Sequence, residues 1–327
     1  MTVVLDGPGS SDETAARSAL RAFGIEPTAL ELAARSENIT FRVEAPGGPY
    51  ALRLHRPGYN TLPELISERI WTRALTDAGF AVPVGLTTPD GHDYVSVTLN
   101  SGEVRHAGLT RWTPGDLLAN TVEGHDLTPW FERLGEIAAG LHAHSAAWTP
   151  PAGFTRRVLD ADGLMGESPA WGPFWEHAGL SHSEQQLFAA ARIKAHLALA
   201  TLPRDPEHWG MIHSDLHHRN LVYDGHALSI IDFDDAGFGW YVNDLAVALM
   251  HQQRRPDFAA LQAALLTGYR ARRPFSAEDE ARLPLFLLVR RLAVIGWLHQ
   301  RPEIDGAAYL ADMKPLTCQL CEDFLRD

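Results

Sequence analysis

The chain has 327 residues, of which 45% are hydrophobic and 21% are charged, and its formal net charge is -13. This length exceeds one average domain, so we expect two lobes. The acidic balance argues against a nucleic-acid binder, because neutralising phosphates requires a basic face. The same charge is compatible with a cationic small-molecule partner, although simple solubility is sufficient to explain it.

Several features of the chain indicate the cytoplasm. The two cysteines, Cys318 and Cys321, provide no disulfide framework that would need export, and we interpret them as small apolar residues of a terminal helix. The first twenty residues have no charged segment followed by a long apolar core, so no signal peptide is predicted. Arg290 and Arg291 interrupt the apolar stretch 283–298. We therefore expect no membrane-spanning helix.

The first third of the chain predicts a helix followed by a small antiparallel sheet. Apolar side chains recur at helical spacing just before Gly24, which is typical of a helix that ends at a glycine. Ile39, Phe41 and Val43 alternate with polar residues, which is strand periodicity. The predicted elements are a helix at 11–23, a strand within 31–44, a strand at 50–56, a helix opened by proline at 63–78, and strands at 91–98 and 106–112.

From Leu117 onward, helical signals largely replace strand signals. Thr128 and Pro129 mark a capped helix start. Further helices are predicted at 258–269, 278–298 and 307–325. Residues 148–175 are rich in tryptophan, phenylalanine and proline. These aromatic residues either line a pocket for a small organic substrate or pack the lobe.

The segment 211–235, MIHSDLHHRNLVYDGHALSIIDFDD, carries the candidate catalytic residues. Asp215 and Asn220 stand five positions apart, and a later apolar run leads to Asp232. The Asp224-Gly225 pair between them predicts a tight hairpin turn. Carboxylate and amide oxygens suit Mg²⁺, which completes its octahedron with water and nucleotide phosphates. We therefore expect Asn220 and Asp232 to bind the metal and Asp215 to orient a substrate hydroxyl and accept its proton.

Two other interpretations of this segment stay open. A helix cap near Asp215 and a solvated acidic turn at 232–235 would account for the carboxylates without any catalysis. Alternatively, His213, His217 and His218 with Asp215 have the imidazole and carboxylate chemistry of a zinc site. Zinc sites usually draw a further ligand cluster from elsewhere in the chain, and none is evident.

The order His-x-Asp-x4-Asn, hairpin, Ile-Asp resembles the catalytic and metal loops of the protein-kinase-like superfamily, in its aminoglycoside and homoserine phosphotransferase branch. His213, Asp215 and Asn220 stand in HSDLHHRN, and Asp232 stands in IIDFDD. The resemblance implies that His213 is structural and braces the loop through backbone hydrogen bonds.

The resemblance implies an α+β, bilobal, protein-kinase-like fold. A small antiparallel-sheet lobe that binds the nucleotide would occupy residues 1–112. A larger, mostly helical lobe for catalysis and substrate binding would occupy residues 113–327.

The resemblance also implies a nucleotide-binding strand and helix in the first lobe. Ala51 and Arg53 lie two residues apart, like the adenine-contacting alanine and phosphate-holding lysine of the kinase strand. Arginine replaces lysine here, so a phosphate would meet a planar fork instead of a compact ammonium. Glu68 is expected to pair with this cation, with Glu64 in reserve. Arg53 could instead be an exposed strand residue. Glu64 and Glu68 could likewise be charged residues on the solvent-facing side of a helix.

Ser36 and Asn38 stand where the family places its loop over the ATP phosphates. This loop lacks the glycines of protein kinases and carries Ser36-Glu37-Asn38 instead. An ordinary surface turn is the alternative interpretation of these residues.

The resemblance implies a kinase that uses ATP and Mg²⁺ to phosphorylate a hydroxyl of a small molecule, aminoglycoside-like, homoserine-like or choline-like. Asp234 and Asp235 would lie near the phosphates and could receive a cationic acceptor. One alternative is a bacterial stress-response-type Ser/Thr protein kinase, although no regulatory activation segment is visible between Asp235 and Asp244. Another is a non-catalytic nucleotide-binding module, which the presence of all three candidate residues disfavours.

Overall fold

The computed structural model describes residues 11–35 and 38–326. Its strands are β1 (Ala29–Arg35), β2 (Ile39–Ala45), β3 (Gly48–Leu54), β4 (Gly85–Leu86), β5 (Tyr94–Thr98), β6 (Val104–Arg111), β7 (Asp116–Leu117), β8 (Val158–Leu159), β9 (Trp209–Ile212), β10 (Leu221–Tyr223), β11 (Leu228–Ile230) and β12 (Gly237–Trp240). Its α-helices are α1 (Ser11–Ala22), α2 (Leu62–Asp77), α3 (Leu118–Thr121), α4 (Thr128–Ala147), α5 (Ala161–Met165), α6 (His182–Ala200), α7 (Tyr241–Met250), α8 (Phe258–Arg270), α9 (Ala277–His299) and α10 (Ala307–Arg326). Short 3₁₀ turns lie at Phe174–Glu176 and His218–Asn220.

The chain divides into two compact units. Unit 1 consists of the described part of Met1–Thr121 with Pro151–Thr155 and Arg219–Asp234, and unit 2 consists of Val122–Pro150, Arg156–His218 and the described part of Asp235–Asp327. The boundary expected after residue 112, between a nucleotide-binding and a catalytic lobe, stays a prediction, because a division by compactness does not identify which residues bind nucleotide.

The sheet of unit 1 has the order β1-β2-β3-β6-β4, with β5 also paired to β6, and all its pairings are antiparallel. The alternation predicted within 31–44 is confirmed in β2, and β3 alternates in the same way. Their inward residues pack with the apolar face of α1 in one core. The buried strand residues are Ile39, Phe41, Val43, Tyr50, Leu52 and Leu54. Ala51 and Arg53 therefore lie on the face of β3 that points away from this core.

A capping box fixes the start of α2. The side chain of Thr61 accepts from the backbone N–H of Glu64, and the carboxylate of Glu64 accepts from the backbone N–H of Thr61 at 2.8 Å. These contacts satisfy backbone donors at the helix end that have no partner within the helix. The helix predicted at 63–78 is confirmed.

The hairpin predicted from Asp224-Gly225 is also confirmed. β10 and β11 are antiparallel, with Leu221 opposite Ile230, and β7 pairs with the other edge of β10. Gly225 has a backbone φ of 94°, which residues other than glycine rarely adopt. The carboxylate of Asp224 closes the turn by accepting the backbone N–H groups of His226 at 2.8 Å and Ala227 at 2.7 Å.

Unit 2 is mostly helical, as predicted, and also contains a small sheet that the sequence did not predict. β12 pairs antiparallel with β9 and parallel with β8. α7 follows β12 directly, and all ten of its residues are buried. No helix in the described residues has both the length and the apolar character needed to cross a membrane. The fold class predicted from the sequence, with an antiparallel sheet in the amino-terminal part and a larger helical part, is confirmed.

Candidate active site

Asp215 lies in unit 2, three residues after β9. A side-chain nitrogen of Arg290, on α9, donates a hydrogen bond to Oδ1 of Asp215. On the other carboxylate oxygen, Nε2 of His217 stands 3.4 Å from Oδ2. The side chain of Asp215 is 22% exposed and that of Arg290 is 10% exposed. One carboxylate is thus engaged at both oxygens and remains partly open to solvent.

The charges around Asp215 favour its ionised form. Burial by itself raises the pKa of this carboxyl group, because a low-dielectric environment disfavours the charged form. His217, through its proximity and hydrogen bond, and then Arg290, through its charge, outweigh burial and hold the pKa well below its usual range. Asp215 is therefore a carboxylate that accepts hydrogen bonds at neutral pH.

The backbone before Asp215 is braced by Asp244 on α7. The carboxylate of Asp244 is fully buried and accepts the backbone N–H groups of His213 at 2.9 Å and Ser214 at 2.6 Å. Nε2 of His142, on α4, lies 3.2 Å from the same carboxylate. Ser214 has a φ of 65°, a conformation in which residues other than glycine need support from their surroundings. These hydrogen bonds supply that support.

His213 has the structural role that the sequence resemblance implied. Its side chain is fully buried, and Nδ1 accepts the backbone N–H of Asp215 at 3.3 Å. The imidazole therefore fixes the main chain at Asp215 instead of facing solvent.

Asn220 and Asp232 lie at the two strand ends of the hairpin in unit 1. Asn220 immediately precedes β10 and is 8% exposed, and its carbonyl oxygen accepts the backbone N–H of Ile231 at 3.0 Å. Asp232 follows β11 with a φ of 68°. A non-glycine residue in this left-handed region is uncommon and is concentrated at functional sites.

Arg53, on β3, joins two carboxylates of the same unit. Nη1 donates to Oδ1 of Asp232 at 3.0 Å and to Oδ1 of Asp234 at 2.9 Å. Burial lowers the pKa of this guanidinium, but the charges of Asp234, then Asp232, then Glu68 outweigh burial, so the pKa is raised. Arg53 is thus a firmly charged cation, and Glu68 contributes to the field around it. Glu64, the reserve candidate for pairing with Arg53, caps α2.

Asn38 is the described residue of the predicted loop over the phosphates. Its amide nitrogen donates to Oδ2 of Asp234, and its Oδ1 accepts the backbone N–H of Arg56 at 2.9 Å. Asn60 also donates to the backbone oxygen of Asp234, at 3.1 Å. Ser36 lies outside the described residues. Ala51 sits on β3 opposite Arg42 and Thr110, partly buried, on the same face as Arg53.

The donor set fits a hard cation better than zinc. In the part of the chain that the structure describes, no three His, Cys, Asp or Glu side chains converge to hold a metal by themselves. Zinc usually takes three or four protein ligands of this kind, whereas Mg²⁺ needs only one or two protein oxygens beside phosphates and water. One amide and one carboxylate, from Asn220 and Asp232, match the second pattern.

Comparison with known proteins supports the same chemistry. The model of the phosphotransferase enzyme family, APH, matches residues 28–283. The chain belongs to the APH phosphotransferase enzyme family. The solved structure of a microcompartment-associated aminopropanol kinase is 33% identical with a TM-score of 0.84, over 96% of this chain and 98% of that one.

Two further APH-type kinases resemble the chain at lower identity. The amicoumacin kinase of Bacillus subtilis is 24% identical over 90% of this chain and 86% of its own length. The structure of the amicoumacin kinase hAmiN in complex with AMP-PNP, Ca²⁺ and Ami is 18% identical, with a TM-score of 0.79 over 96% of this chain and 92% of that one. At 18% identity, the likeness to the hAmiN structure supports the fold of the chain and not its substrate.

Membership of the APH family confirms the predicted fold and reaction. The chain is a kinase that transfers a phosphoryl group to a hydroxyl of a small molecule. The predicted roles of its individual residues stay predictions, and so does the cytoplasmic location.

Three residues of the site in this APH protein escaped the sequence analysis. Arg290 was noted only as an interruption of an apolar stretch, although a charged residue there can itself signal a buried ion pair. Asp244 was named as one end of the stretch without an activation segment, and its bonds to the loop were not predicted. Asp234 was placed near the phosphates, without its contacts to Arg53 and Asn38. Each contact joins residues far apart in the sequence, which spacing alone cannot reveal.

Proposed function

We propose that the protein transfers the γ-phosphoryl group of ATP, with Mg²⁺ as its divalent cation, to the hydroxyl of a small molecule. Asn220 and Asp232 hold the metal, which would neutralise charge on the phosphates. Arg53 contacts phosphate oxygens with Glu68 close by, and Ala51, Ser36 and Asn38 line the nucleotide. Asp215 orients the acceptor hydroxyl and receives its proton.

The observation that carries this proposal is the hydrogen bond between Arg53 and Asp232. The cation assigned to the phosphates and the carboxylate assigned to the metal are 3.0 Å apart within unit 1. A metal bound to nucleotide phosphates needs a carboxylate on the metal side and a cation on the phosphate side at one place. β3 and the end of β11 provide that pair.

The low pKa of Asp215 agrees with the role proposed for it. Phosphoryl transfer generally passes through a loose transition state, in which most of the work is positioning and charge stabilisation. A carboxylate that is ionised at neutral pH can accept a hydrogen bond from the alcohol throughout the approach. It then takes the proton once the oxygen becomes acidic on bonding to phosphorus.

We further propose that the acceptor is an alcohol that carries an amine. The net charge of -13 favours approach of a cation, and the aminopropanol kinase that the chain resembles is named for such a compound. Asp234 and Asp235 are poor candidates for the ammonium site. Asp234 is bound by Arg53, and Asp235 lies 3.3 Å from Arg157.

The acceptor proposal is tested with matched alcohols. Initial rates with Mg·ATP are measured for 1-amino-2-propanol and for 1,2-propanediol, which has the same carbon skeleton without the amine. Homoserine, choline, an aminoglycoside and a casein-like protein complete the panel. We expect an amino alcohol to be phosphorylated with a higher kcat/KM than its diol. Equal rates for amine and diol would remove the cationic requirement, and phosphorylation of the protein alone would favour the protein-kinase alternative.

The role of Asp215 is tested with Asp215→Asn, which keeps the shape of the side chain and removes its basicity. We expect this variant to bind ATP like the parent and to lose turnover. A turnover equal to that of the parent would contradict the assigned role. Chelation of divalent cations by EDTA should abolish the parent's activity, and Mg²⁺ should restore it.

A further inference from the structure

Arg290 is a buried cation in the middle of a long apolar helix. α9 buries thirteen of its residues, and most are aliphatic or aromatic. An uncompensated charge in such surroundings is costly, so a buried guanidinium is retained only with good partners. Arg290 has two such contacts: its hydrogen bond to Asp215, and the ring of Trp171, whose centroid lies 5.7 Å from Cζ.

The contacts of Arg290 restrict the carboxylate of Asp215. Arg290 binds Oδ1, and His217 stands beside Oδ2. A rotation about Cβ–Cγ would break both contacts, so the carboxylate plane is held. The aromatic face of Trp171 limits the movement of the guanidinium in turn. Nε of Arg290 is buried and has no hydrogen-bond partner among the described residues.

We propose that Arg290 is a positioning residue for phosphoryl transfer, which fixes the orientation of the Asp215 carboxylate. The inference rests on the proposed role of Asp215. Two residues would then position the loop. Asp244 holds the backbone at His213 and Ser214, and Arg290, on α9, holds the side chain of Asp215.

Fixing this carboxylate matters because alignment carries much of the catalysis. A displacement of about 1 Å in a reacting group can cost on the order of 100-fold in rate. The groups that act on the charge of Asp215 are His217 and His213 on its own loop and Arg290 from α9. Removing Arg290 deletes one cation while burial still favours the neutral acid. The rate should then fall at a higher pH than in the parent, as the carboxylate becomes protonated.

Arg291 provides a matched control for this role. It is the next residue of α9 and is 3% exposed, and Nε donates to Oε1 of Gln253 at 2.5 Å. Arg290→Met and Arg291→Met therefore remove the same charge and volume from the same buried helix. Only the first removes the contact with Asp215. A loss due to altered helix packing should appear in both variants.

The experiment compares kcat, nucleotide affinity and the pH profile of kcat in the two variants. We expect kcat of Arg290→Met to fall on the order of 100-fold, with unchanged binding of a non-hydrolysable ATP analogue and with the acidic limb of the profile moved to higher pH. Arg291→Met should keep the parent's profile. Equal kcat values and equal profiles in the two variants would overturn the inference.

Lysine variants decide the question if Arg290→Met does not fold. Arg290→Lys keeps a cation and loses the planar fork, so its acidic limb should stay near that of the parent while kcat falls. Arg291→Lys should keep the parent's kcat. Equal kcat in these two variants would also overturn the inference. An active Asp215→Asn variant would refute the proposed role of Asp215, on which this inference rests, whereas an inactive one beside a fully active Arg290→Met would refute the role of Arg290 alone.

Discussion

Oδ1 of Asp244 accepts the backbone N–H of Ser214 at 2.6 Å, deep inside unit 2. The bond holds Ser214 in a left-handed conformation one residue before the proposed base. The loop geometry is therefore fixed by a carboxylate thirty residues further along the chain, on the helix that follows β12.

Replacing Asp244 should damage stability and activity together. Asp244→Asn substitutes an amide that must present its single oxygen to two backbone donors and His142. We expect a loss of about 3 kcal/mol in the free energy of unfolding, because buried charged hydrogen bonds are removed. Urea denaturation measures the loss. Asp257→Asn, in an exposed pair with Arg255, should leave the free energy of unfolding close to that of the parent, because exposed ion pairs contribute little to stability. Similar losses in the two variants would contradict the bracing role.

Substitutions at Ser214 should depend on backbone conformation more than on polarity. Ser214→Gly should stay within about 1 kcal/mol of the parent, since glycine adopts a φ of 65° easily but is more flexible when unfolded. Ser214→Val should lose about 2 kcal/mol or more, because a β-branched residue is strained there. Thermal denaturation of both variants gives the comparison, and a valine variant as stable as the glycine variant would show that the loop relaxes.

Removing Arg53 should change metal and nucleotide binding in opposite directions. On the proposed roles, Arg53 would compete with a metal for Asp232 when no nucleotide is present, so Arg53→Met should bind free Mn²⁺ more tightly than the parent does. The same variant should bind the nucleotide more weakly, because a phosphate contact is lost. Calorimetric titrations measure both affinities.

Arg17→Met is the control for these titrations. Arg17 lies on α1, on the other face of the sheet, and its side chain is 45% exposed in a pair with Glu13. Its removal should leave both affinities unchanged. Weaker binding of Mn²⁺ to Arg53→Met would contradict the proposed competition.

His55 should make unit 1 less stable in mild acid. Burial lowers the pKa of this imidazole to about 3, a shift that Asp234 opposes and Arg53 reinforces. The unfolded chain therefore binds a proton near pH 6.5, while the folded chain does not. Stability is full above that pH and is lost as pH falls. We expect a loss of about 1 kcal/mol between about pH 7 and pH 5.5 from this group alone.

The variant His55→Gln isolates this contribution. Urea denaturation gives the free energy of unfolding of parent and variant at both pH values. Other titrating groups, including the buried His142, contribute equally to both proteins and cancel when the two pH dependences are subtracted. A smaller pH dependence in His55→Gln is the expected result, and an identical dependence would show that His55 gains a proton in the folded protein.

Local features of the site were predictable because their causes are local. The Asp-Gly turn and the apolar run after it specify a hairpin, and the hairpin fixes where Asn220 and Asp232 stand. Alternation in β3 specifies that Ala51 and Arg53 share a face. These inferences need only the periodicity of a strand and the conformational freedom of glycine.

The supports of the site were not predictable in the same way. Arg290 meets Asp215 across 75 positions and Arg53 meets Asp234 across 181. Such pairs depend on how helices and strands pack against one another, and the spacing of residues along the sequence does not specify that packing. The strand β12 was missed because its glycine-rich sequence has a low strand propensity. Pairing with β8 and β9 overrides that propensity.

The arginine on β3 affects how this kinase can be detected. The sequence holds two lysines, Lys194 and Lys314, and both lie on helices of unit 2. On the proposed role of Arg53, a nucleotide probe that acylates an amine beside the phosphates would meet a guanidinium on this strand, and a guanidinium stays protonated and is a poor nucleophile. Surveys that tag kinases through a lysine on this strand would then pass over this protein.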